Sequence, residues 1–572
     1  MKEKTILGHP IGLFILFFTE MWERFSYYGM RAILVFFLVD TALEQGGGGF
    51  GWTRAEALVL YAWYTGFVYL TPLIGGYLAD KKLGYRNAVV LGAALMTLGH
   101  GVLALETPAA FYAGLIFLVI GNGFFKPNIS SIVGQLYPEG SEKKDSGYTI
   151  FYMGVNAGAF LGMMICGWLG ETKGWSYGFG AAGVFMLFGL LQFWFAQNIF
   201  GKIGLKPKKQ LDAAKEQAST ENIVPFTKGD KNGLITSIVL LIATVFAFKF
   251  IPLPAEKEML RYLFVLPFLV AIISYILKRL GKYPKVEKDR LSVIAILAIF
   301  SVFFWMAFEQ AGGTMSIFAK DYTNRSLSTP LAVDTFRYVS LALTLIPILI
   351  LSWVLISMAR KIVRSYPLTI LFSAISFLII WGIVYQINLE NFSMSSNEIP
   401  ASWFGILNGL FIISFAPLFS KLWVKLTGIN KNPSGPIKFA LGLFLLGLGF
   451  LALSLGSASI PKGAETASVS IIWLILAYLF HTLGELCLSP VGLSFINKLS
   501  PARLVGMMFG VWFLGNFVAN FAGGIIGSYI DEISQNSSLS GFFSIFVVSS
   551  FAAALALVLL NKKLKKMMHG VV

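Results

Sequence analysis

Long apolar stretches recur along the whole chain, and each is long enough to cross a membrane as a helix. The first of them covers residues 11–39 and is interrupted by only a few charged positions. About 20 residues at about 1.5 Å each span a hydrocarbon layer of about 30 Å. Strands of a membrane β-barrel would be shorter and would alternate apolar with polar positions. The pattern therefore predicts an all-α polytopic membrane protein.

Turn signals between the apolar stretches divide the chain into about 16 predicted spans. We place them at residues 11–39, 55–79, 87–104, 109–135, 148–170, 178–198, 233–251, 261–279, 291–318, 335–359, 366–388, 402–427, 437–457, 470–496, 505–530 and 540–561. The predicted domains are an N-terminal six-helix bundle at 1–199, a cytoplasmic linker at 200–232, an extra helical pair at 233–280, and a C-terminal bundle at 281–572 with an inserted hairpin at about 335–390.

Composition and charge support this class and give its orientation. Hydrophobic residues make up 56% of the chain and charged residues 13%, against about 25% charged residues in soluble domains. Basic clusters such as Lys81-Lys82, Lys206–Lys209 and Lys562–Lys566 fall in loops on one predicted side. Because basic loops stay in the cytoplasm, both termini are predicted to be cytoplasmic in a protein of the cell membrane. The net charge of +16 thus reflects topology and indicates no nucleic-acid partner.

Several kinds of chemistry find no support in the sequence. The chain has no phosphate-binding Walker loop, no dinucleotide fingerprint and no HExxH motif. Its two cysteines, Cys166 and Cys487, lie in apolar segments, and its four histidines are not grouped as metal ligands would be. We therefore expect no enzyme activity, no metal and no cofactor other than protons as a coupling ion. We also expect a monomer surrounded by membrane lipid.

The first predicted span carries a polar stripe. Glu20, Glu23, Arg24, Tyr27 or Tyr28, and Arg31 recur at spacings that place them on one face of a helix. Ionisable residues inside a membrane are costly and are therefore functional candidates. A stripe with both signs of charge suits a path for protons and zwitterions. The alternative is a static ion pair that joins two helices.

Two pairs of opposite charge lie at matched depths in different halves of the chain. Arg31 and Glu309 lie about 30 Å and about 27 Å from the cytoplasmic starts of their spans. Lys126 and Glu485 lie about 26 Å and about 22 Å from the external starts of theirs. Such pairs suit gates that form and break in turn, although permanent salt bridges are the alternative.

The charges within the spans also suggest a proton site and a substrate class. Glu20, Glu23, Glu309 and Glu485 outnumber Arg24, Arg31 and Lys126 by one, so the array favours one bound proton. Glu309 is the first candidate for that proton, and the cluster of Glu20, Glu23 and Arg24 is the second. A peptide zwitterion would find a holder for its carboxylate in Arg31 and Lys126, and one for its amino group in Glu485.

Other predicted substrate contacts are polar amides and aromatic walls. Asn156 and Asn408 can each donate and accept hydrogen bonds, which suits peptide amides. Aromatic rings with polar tips can adapt to varied side chains, although ordinary helix packing explains any one of them equally well. The aromatic candidates are Tyr27, Tyr28, Tyr69, Trp305 and Trp512.

Five motifs carry a resemblance to a known family. The loop Gly75-Gly-Tyr-Leu-Ala-Asp80-Lys-Lys-Leu-Gly84 resembles a signature of the major facilitator superfamily. The stretch Glu20-x-x-Glu23-Arg24-Phe-x-Tyr-Tyr-Gly resembles a signature of the proton-coupled oligopeptide transporters, a branch of that superfamily. Three more motifs of that branch follow in family order, at residues 121–128, 151–158 and 484–492, and residues 304–310 resemble the family's seventh core helix.

The resemblance implies a major facilitator fold with two six-helix bundles around a central cavity, plus extra helices. It implies the same two gating pairs, adds Ser489 to the substrate site, and predicts import of di- and tripeptides with protons by alternating access. A carrier of another small anion such as nitrate, or a peptide-binding receptor that does not transport, is the alternative. The hairpin at about 335–390 departs from the family pattern, and we interpret it as lipid-facing and uninvolved in transport.

Overall fold

The computed structural model describes residues 5–41, 48–138, 141, 143–205, 227–251, 263–327, 329–393, 397–501 and 504–571. Most of the predicted linker at residues 200–232 lies outside these ranges. The described residues form long helices and two very short two-stranded antiparallel sheets. The first sheet pairs β1 (Thr5–Ile6) with β2 (His9–Pro10), and the second pairs β3 (Ser326–Leu327) with β4 (Asn397–Glu398).

The long helices follow the predicted spans closely. Those before the linker are α1 (Ile11–Val39), α2 (Arg54–Leu78), α3 (Tyr85–Leu103), α4 (Pro108–Gln135), α5 (Lys143–Lys173) and α6 (Trp175–Ala196). Those after it are α7 (Lys228–Phe250), α8 (Leu266–Leu280), α9 (Lys285–Phe308), α10 (Pro330–Ile362), α11 (Pro367–Ser393), α12 (Ile406–Gly428), α13 (Gly435–Gly456), α14 (Ile472–Leu499), α15 (Val505–Ser528) and α16 (Leu539–Met567). Short helical turns cover Ala79–Leu83, Gln197–Phe200, Glu309–Gly312, Thr314–Ile317, Phe318–Tyr322, Ala401–Gly405 and Ile530–Asn536.

Fourteen helices in the described part of the chain are long and apolar enough to cross a membrane. Helix α1 is outside that group and carries four charged side chains, Glu20, Glu23, Arg24 and Arg31. Helix α7 is also outside it, but it too is helical where a span was predicted. Sequence pattern and structure thus agree on an all-α polytopic membrane protein.

Glycines of α5 pack closely against α1 and fix the position of α1 along α5. Helix α1 packs against α5 and α6, and almost all of its residues are buried. Gly154, Gly158 and Gly162 of α5 are spaced by four residues and lie against backbone carbonyls of α1, where any Cβ atom would clash. Those carbonyls belong to Phe17, Met21 and Phe25. Small residues at this spacing allow two membrane helices to approach closely, so the charged stripe of α1 is held in register with α5.

The inserted hairpin of α10 and α11 has a second face that the sequence did not indicate. Helix α11 packs against α6 of the first bundle. The Ser373 hydroxyl on α11 donates to Gln192 Oε1 on α6 at 2.7 Å, and Gln192 Nε2 donates to Thr19 Oγ1 on α1 at 3.1 Å. Phe377 of α11 packs edge-on against Trp22 of α1. The hairpin is therefore not lipid-facing on all sides, and for its exposed side the lipid-facing position stays a prediction.

The chain forms two compact units. The larger comprises residues 1–208, 299–491 and 512–559, and the smaller comprises 209–298, 492–511 and 560–572. In the smaller unit, Asp230 of α7 binds Lys282 at 2.9 Å and Arg279 at 3.0 Å. Hydrogen bonds from Lys282 and from the backbone and hydroxyl of Thr227 hold the pKa of Asp230 well below its usual value. This ion cluster pins the start of α7 to the end of α8.

Candidate functional site

The polar stripe of α1 forms a compact buried cluster. Arg24 lies between two carboxylates, with its Nε 3.0 Å from Glu20 Oε1 and in direct contact with Glu23 Oε2. Glu23 is fully buried and accepts a further hydrogen bond at 3.0 Å from Asn122 Nδ2 on α4. Two carboxylates share one base, so the cluster carries a net charge of −1 when both carboxylates are ionised. One bound proton would neutralise it.

Arg31 and Glu309, which the sequence placed at matched depths, form an ion pair between α1 and the segment that follows α9. The α-helical pattern of α9 ends at Phe308, and Glu309 begins a short 3-10 turn. Arg31 Nε also donates to the Tyr61 hydroxyl on α2 at 2.5 Å. A guanidinium held by both a carboxylate and a phenol has a fixed orientation, because its donors lie in one rigid plane.

Lys126 and Glu485 are not brought together in this structure. The Lys126 ammonium lies 4.7 Å from the centre of the Tyr69 ring. The Glu485 carboxylate accepts a hydrogen bond at 3.0 Å from Asn408 Nδ2, which also donates to Thr482. Of the two predicted gates, one is thus formed and the other is not. Two of the predicted substrate residues, Tyr69 and Asn408, instead hold the separated charges.

The remaining predicted substrate residues make contacts within or near their own helices. Asn156 Nδ2 donates to the carbonyl of Tyr152, one turn earlier on α5. Trp305 packs against neighbouring phenylalanines of α9, and Trp512 lies edge-on to Phe439 of α13. Ser489 has a buried hydroxyl without a hydrogen-bond partner among the described residues.

Tyr27 and Tyr28 lie beside the charged cluster. Their rings meet edge-on with centres 5.1 Å apart, and the Arg24 guanidinium lies 5.6 Å from the centre of the Tyr27 ring. Cation–π contact of this kind favours a retained positive charge on Arg24. The two tyrosines therefore belong to the surroundings of the cluster.

A second charged cluster, centred on Arg54, lies at the end of the bundle where α1 terminates, and the sequence did not indicate it. Arg54 begins α2, and its guanidinium binds Asp321 Oδ2 at 2.7 Å and Asp531 Oδ1 at 2.8 Å. It also donates to the Tyr322 hydroxyl and the Glu465 carbonyl. These residues come from four distant parts of the chain. They border a cavity of about 390 Å³.

Glu171 adds a further contact between the two halves of the chain. Its carboxylate, near the end of α5, accepts hydrogen bonds at 2.9 Å from the backbone N–H groups of Ala401 and Ser402. These N–H groups begin the short turn that leads into α12, and a carboxylate is favourable at such a helical start. Tyr61, Asn122, Arg54 and Glu171 were all missed, because periodicity identifies a helix face but not the partner across from it.

We expect Arg54→Gln to loosen the end of the bundle where α1 terminates. The substitution removes both ion pairs, while Arg54→Lys keeps the charge but loses the planar fork and should be intermediate. Ser534 is buried and lines the same cavity, so Ser534→Cys gives a nearly isosteric reporter. Its reaction with a maleimide should be several-fold faster in the Arg54→Gln background. Native Cys166 and Cys487 are buried, and the protein that retains Ser534 measures their background reaction with the maleimide. An unchanged rate would contradict the role of Arg54 in holding this end closed.

A family model described as the POT family matches residues 86–373 and 366–543 of the chain. The chain belongs to the POT family. The resemblance seen in the five motifs is thereby confirmed, and the chain is a multi-pass membrane protein of this transporter family with a major facilitator fold and extra helices.

Similar proteins extend the comparison over the full length of this POT-family chain. A peptide transporter, YePEPT, of Yersinia enterocolitica is 32% identical, covering 99% of this chain and 97% of the relative. A di-/tripeptide transporter of Lactococcus lactis is 30% identical, covering 100% of this chain and 98% of the relative. The crystal structure of a peptide transporter POT in complex with sulfate matches with a TM-score of 0.71 and 29% identity, covering 99% of this chain and 98% of that one.

Proposed function

We propose that this POT-family chain is a symporter that imports di- and tripeptides together with protons by alternating access. The observation that supports this proposal is that Lys126 and Glu485, both inside the bundle, form no salt bridge with each other, and each instead contacts an uncharged neighbour. An ammonium and a carboxylate that are not paired with each other suit the two ends of a zwitterion. The names of the Yersinia and Lactococcus relatives agree with peptide as the substrate.

We assign proton coupling to the cluster of Glu20, Glu23 and Arg24. Glu309, the first candidate from the sequence, becomes the second site because it is paired with Arg31 here. The cluster has two carboxylates for one base, and burial disfavours its net charge of −1. When Arg31 leaves Glu309 to bind a peptide carboxylate, Glu309 is no longer paired with a base. Its buried carboxylate then takes up a proton more readily. The proton is thus the coupling ion, and no other cofactor is invoked.

The formed and broken gates correspond to one step of the transport cycle. Arg31–Glu309, the Arg54 cluster and Glu171 hold one end of the bundle closed, and we assign that end to the outside of the cell. Both termini then lie in the cytoplasm of a cell-membrane protein that works as a monomer in lipid. Within this cycle there is no catalytic step on the peptide.

Counterflow tests the proposed substrate. Purified protein in liposomes loaded with an unlabelled dipeptide should accumulate a labelled dipeptide from outside without any proton gradient. Excess di- or tripeptide outside should inhibit this accumulation, and nitrate should not, because Glu485 would repel an anion that has no amino group. Accumulation that responds to nitrate alone would favour the anion carrier. Saturable binding of dipeptide without counterflow would favour the receptor.

A further inference from the structure

Asn122 lies at the centre of the buried cluster on α1 but carries no charge of its own. It is 1% exposed, and its Nδ2 donates to Glu23 Oε1 at 3.0 Å. The other oxygen of Glu23 is in contact with Arg24. One oxygen of the Glu23 carboxylate therefore accepts a hydrogen bond from α4, and the other is in ionic contact with the guanidinium of Arg24 on α1.

The position of Asn122 is set by two close helix contacts. Gly121 lies against the backbone of α3 and Gly123 against Thr71 of α2, and a Cβ atom at either position would meet those neighbours. Helix α4 is therefore fixed from two sides, and the side chain between the two glycines points at α1. Lys126 follows one turn later on the same helix.

Among the described residues, the side-chain amide of Asn122 forms no hydrogen bond other than the one to Glu23. Its Oδ1 is buried and lacks a hydrogen-bond partner there. Asn128, six positions along the same helix and equally buried, instead donates to the carbonyl of Phe124 at 2.7 Å. Helix α4 thus carries two buried asparagines. Asn128 bonds to its own helix, whereas Asn122 bonds to a carboxylate on another helix.

The charged and titratable groups that face Glu23 come from three helices. Glu20 and Arg24 lie on α1, Lys126 lies on α4, and Tyr64 lies on α2. Protonation of Glu23 depends on all of them. Asn122 differs from them because it can change that equilibrium without changing the total charge of the array.

We propose that Asn122 is a positioning residue for proton coupling that stabilises the deprotonated form of Glu23 and so promotes release of its proton; the proposal rests on the proposed symport. A hydrogen bond to an ionised carboxylate is about twice as strong as one between neutral groups. The Nδ2 donor therefore favours the anion over the neutral acid. Without it, Glu23 keeps its proton to a higher pH.

The test is the pH dependence of proton-driven dipeptide uptake, measured at a fixed pH difference across the liposome membrane. Asn122→Leu removes the donor at similar volume, and Asn122→Asp keeps the shape but replaces the donor with a second carboxylate. We expect both to move the alkaline midpoint upward by about one pH unit, a tenfold change in proton affinity. Asn128→Leu is the matched control and should leave the midpoint in place. Counterflow without a gradient should persist in all three variants.

A midpoint that stays in place or moves downward in Asn122 variants with normal counterflow overturns the proposal. For a variant that also loses counterflow, infrared titration of the carboxyl band removed by Glu23→Gln gives the same comparison without transport, and an unshifted titration again overturns it. A native protein that shows counterflow but no proton-driven uptake would instead overturn the proposed symport. The two failures are therefore distinguishable.

Discussion

Glu23→Gln should abolish dipeptide accumulation driven by a proton gradient and should leave exchange of dipeptide across the membrane measurable. The substitution preserves the shape of the side chain and can still bond to Asn122, but it removes the group that takes up the proton beside Arg24. The cluster then becomes neutral without a proton. A carrier that no longer needs the proton can still exchange peptide for peptide. Uptake with and without a pH gradient, next to counterflow, measures both properties.

The matched control is Glu390→Gln on the inserted hairpin. Glu390 forms a partly exposed ion pair with Lys173, and such pairs contribute about 0–1 kcal/mol. The same chemical change there should leave gradient-driven accumulation intact. Full accumulation by Glu23→Gln would show that proton coupling resides elsewhere, with Glu309 as the next candidate.

Lys126→Ala and Glu485→Ala should each eliminate detectable dipeptide uptake while the protein remains folded. In the structure the two groups are not paired with each other, so removal of one breaks no salt bridge between them. The loss then falls on substrate binding, because each group holds one end of the peptide. A hydrogen bond to a charged group contributes about 1.5–3 kcal/mol, which corresponds to a loss of affinity of about 10- to 150-fold. Dipeptide binding to purified variants and their thermal unfolding separate the two effects.

The double variant Lys126→Glu with Glu485→Lys provides the comparison. It restores one charge of each sign but reverses the direction in which a zwitterion fits relative to Arg31. We expect a folded protein without dipeptide transport. Native transport rates in this double variant would mean that the pair acts only as a structural salt bridge and does not bind the charged ends of the peptide.

The helices could be predicted from the sequence, because length and hydrophobicity decide which segments cross a membrane. The span predicted at 11–39 coincides with α1 at Ile11–Val39, and the pairing of Arg31 with Glu309 was predicted from matched depth and from the family resemblance. Depth did not distinguish a formed gate from a broken one, so the separation of Lys126 from Glu485 was not foreseen. Which gate is closed depends on the state of the cycle, and the sequence is the same in all states.

Contacts between helices were the least predictable feature. Asn122 was part of a recognised motif, yet only its charged neighbour Lys126 was selected, because an amide gives no charge signal. The inserted hairpin looked lipid-facing because α11 is apolar, but its small hydroxyl at Ser373 meets a buried glutamine of α6. Hydroxyl side chains within an apolar helix, at Ser373 and at Thr369, were the local signs of that contact.

Proton movement driven by peptide is the most direct test of symport. Liposomes containing the purified protein and a pH-sensitive dye, with equal pH on both sides, would receive an inwardly directed dipeptide gradient. Symport predicts that the lumen becomes more acidic as the dipeptide enters, and that Glu23→Gln removes this signal. Dipeptide entering at the native rate with no change in luminal pH would contradict the account.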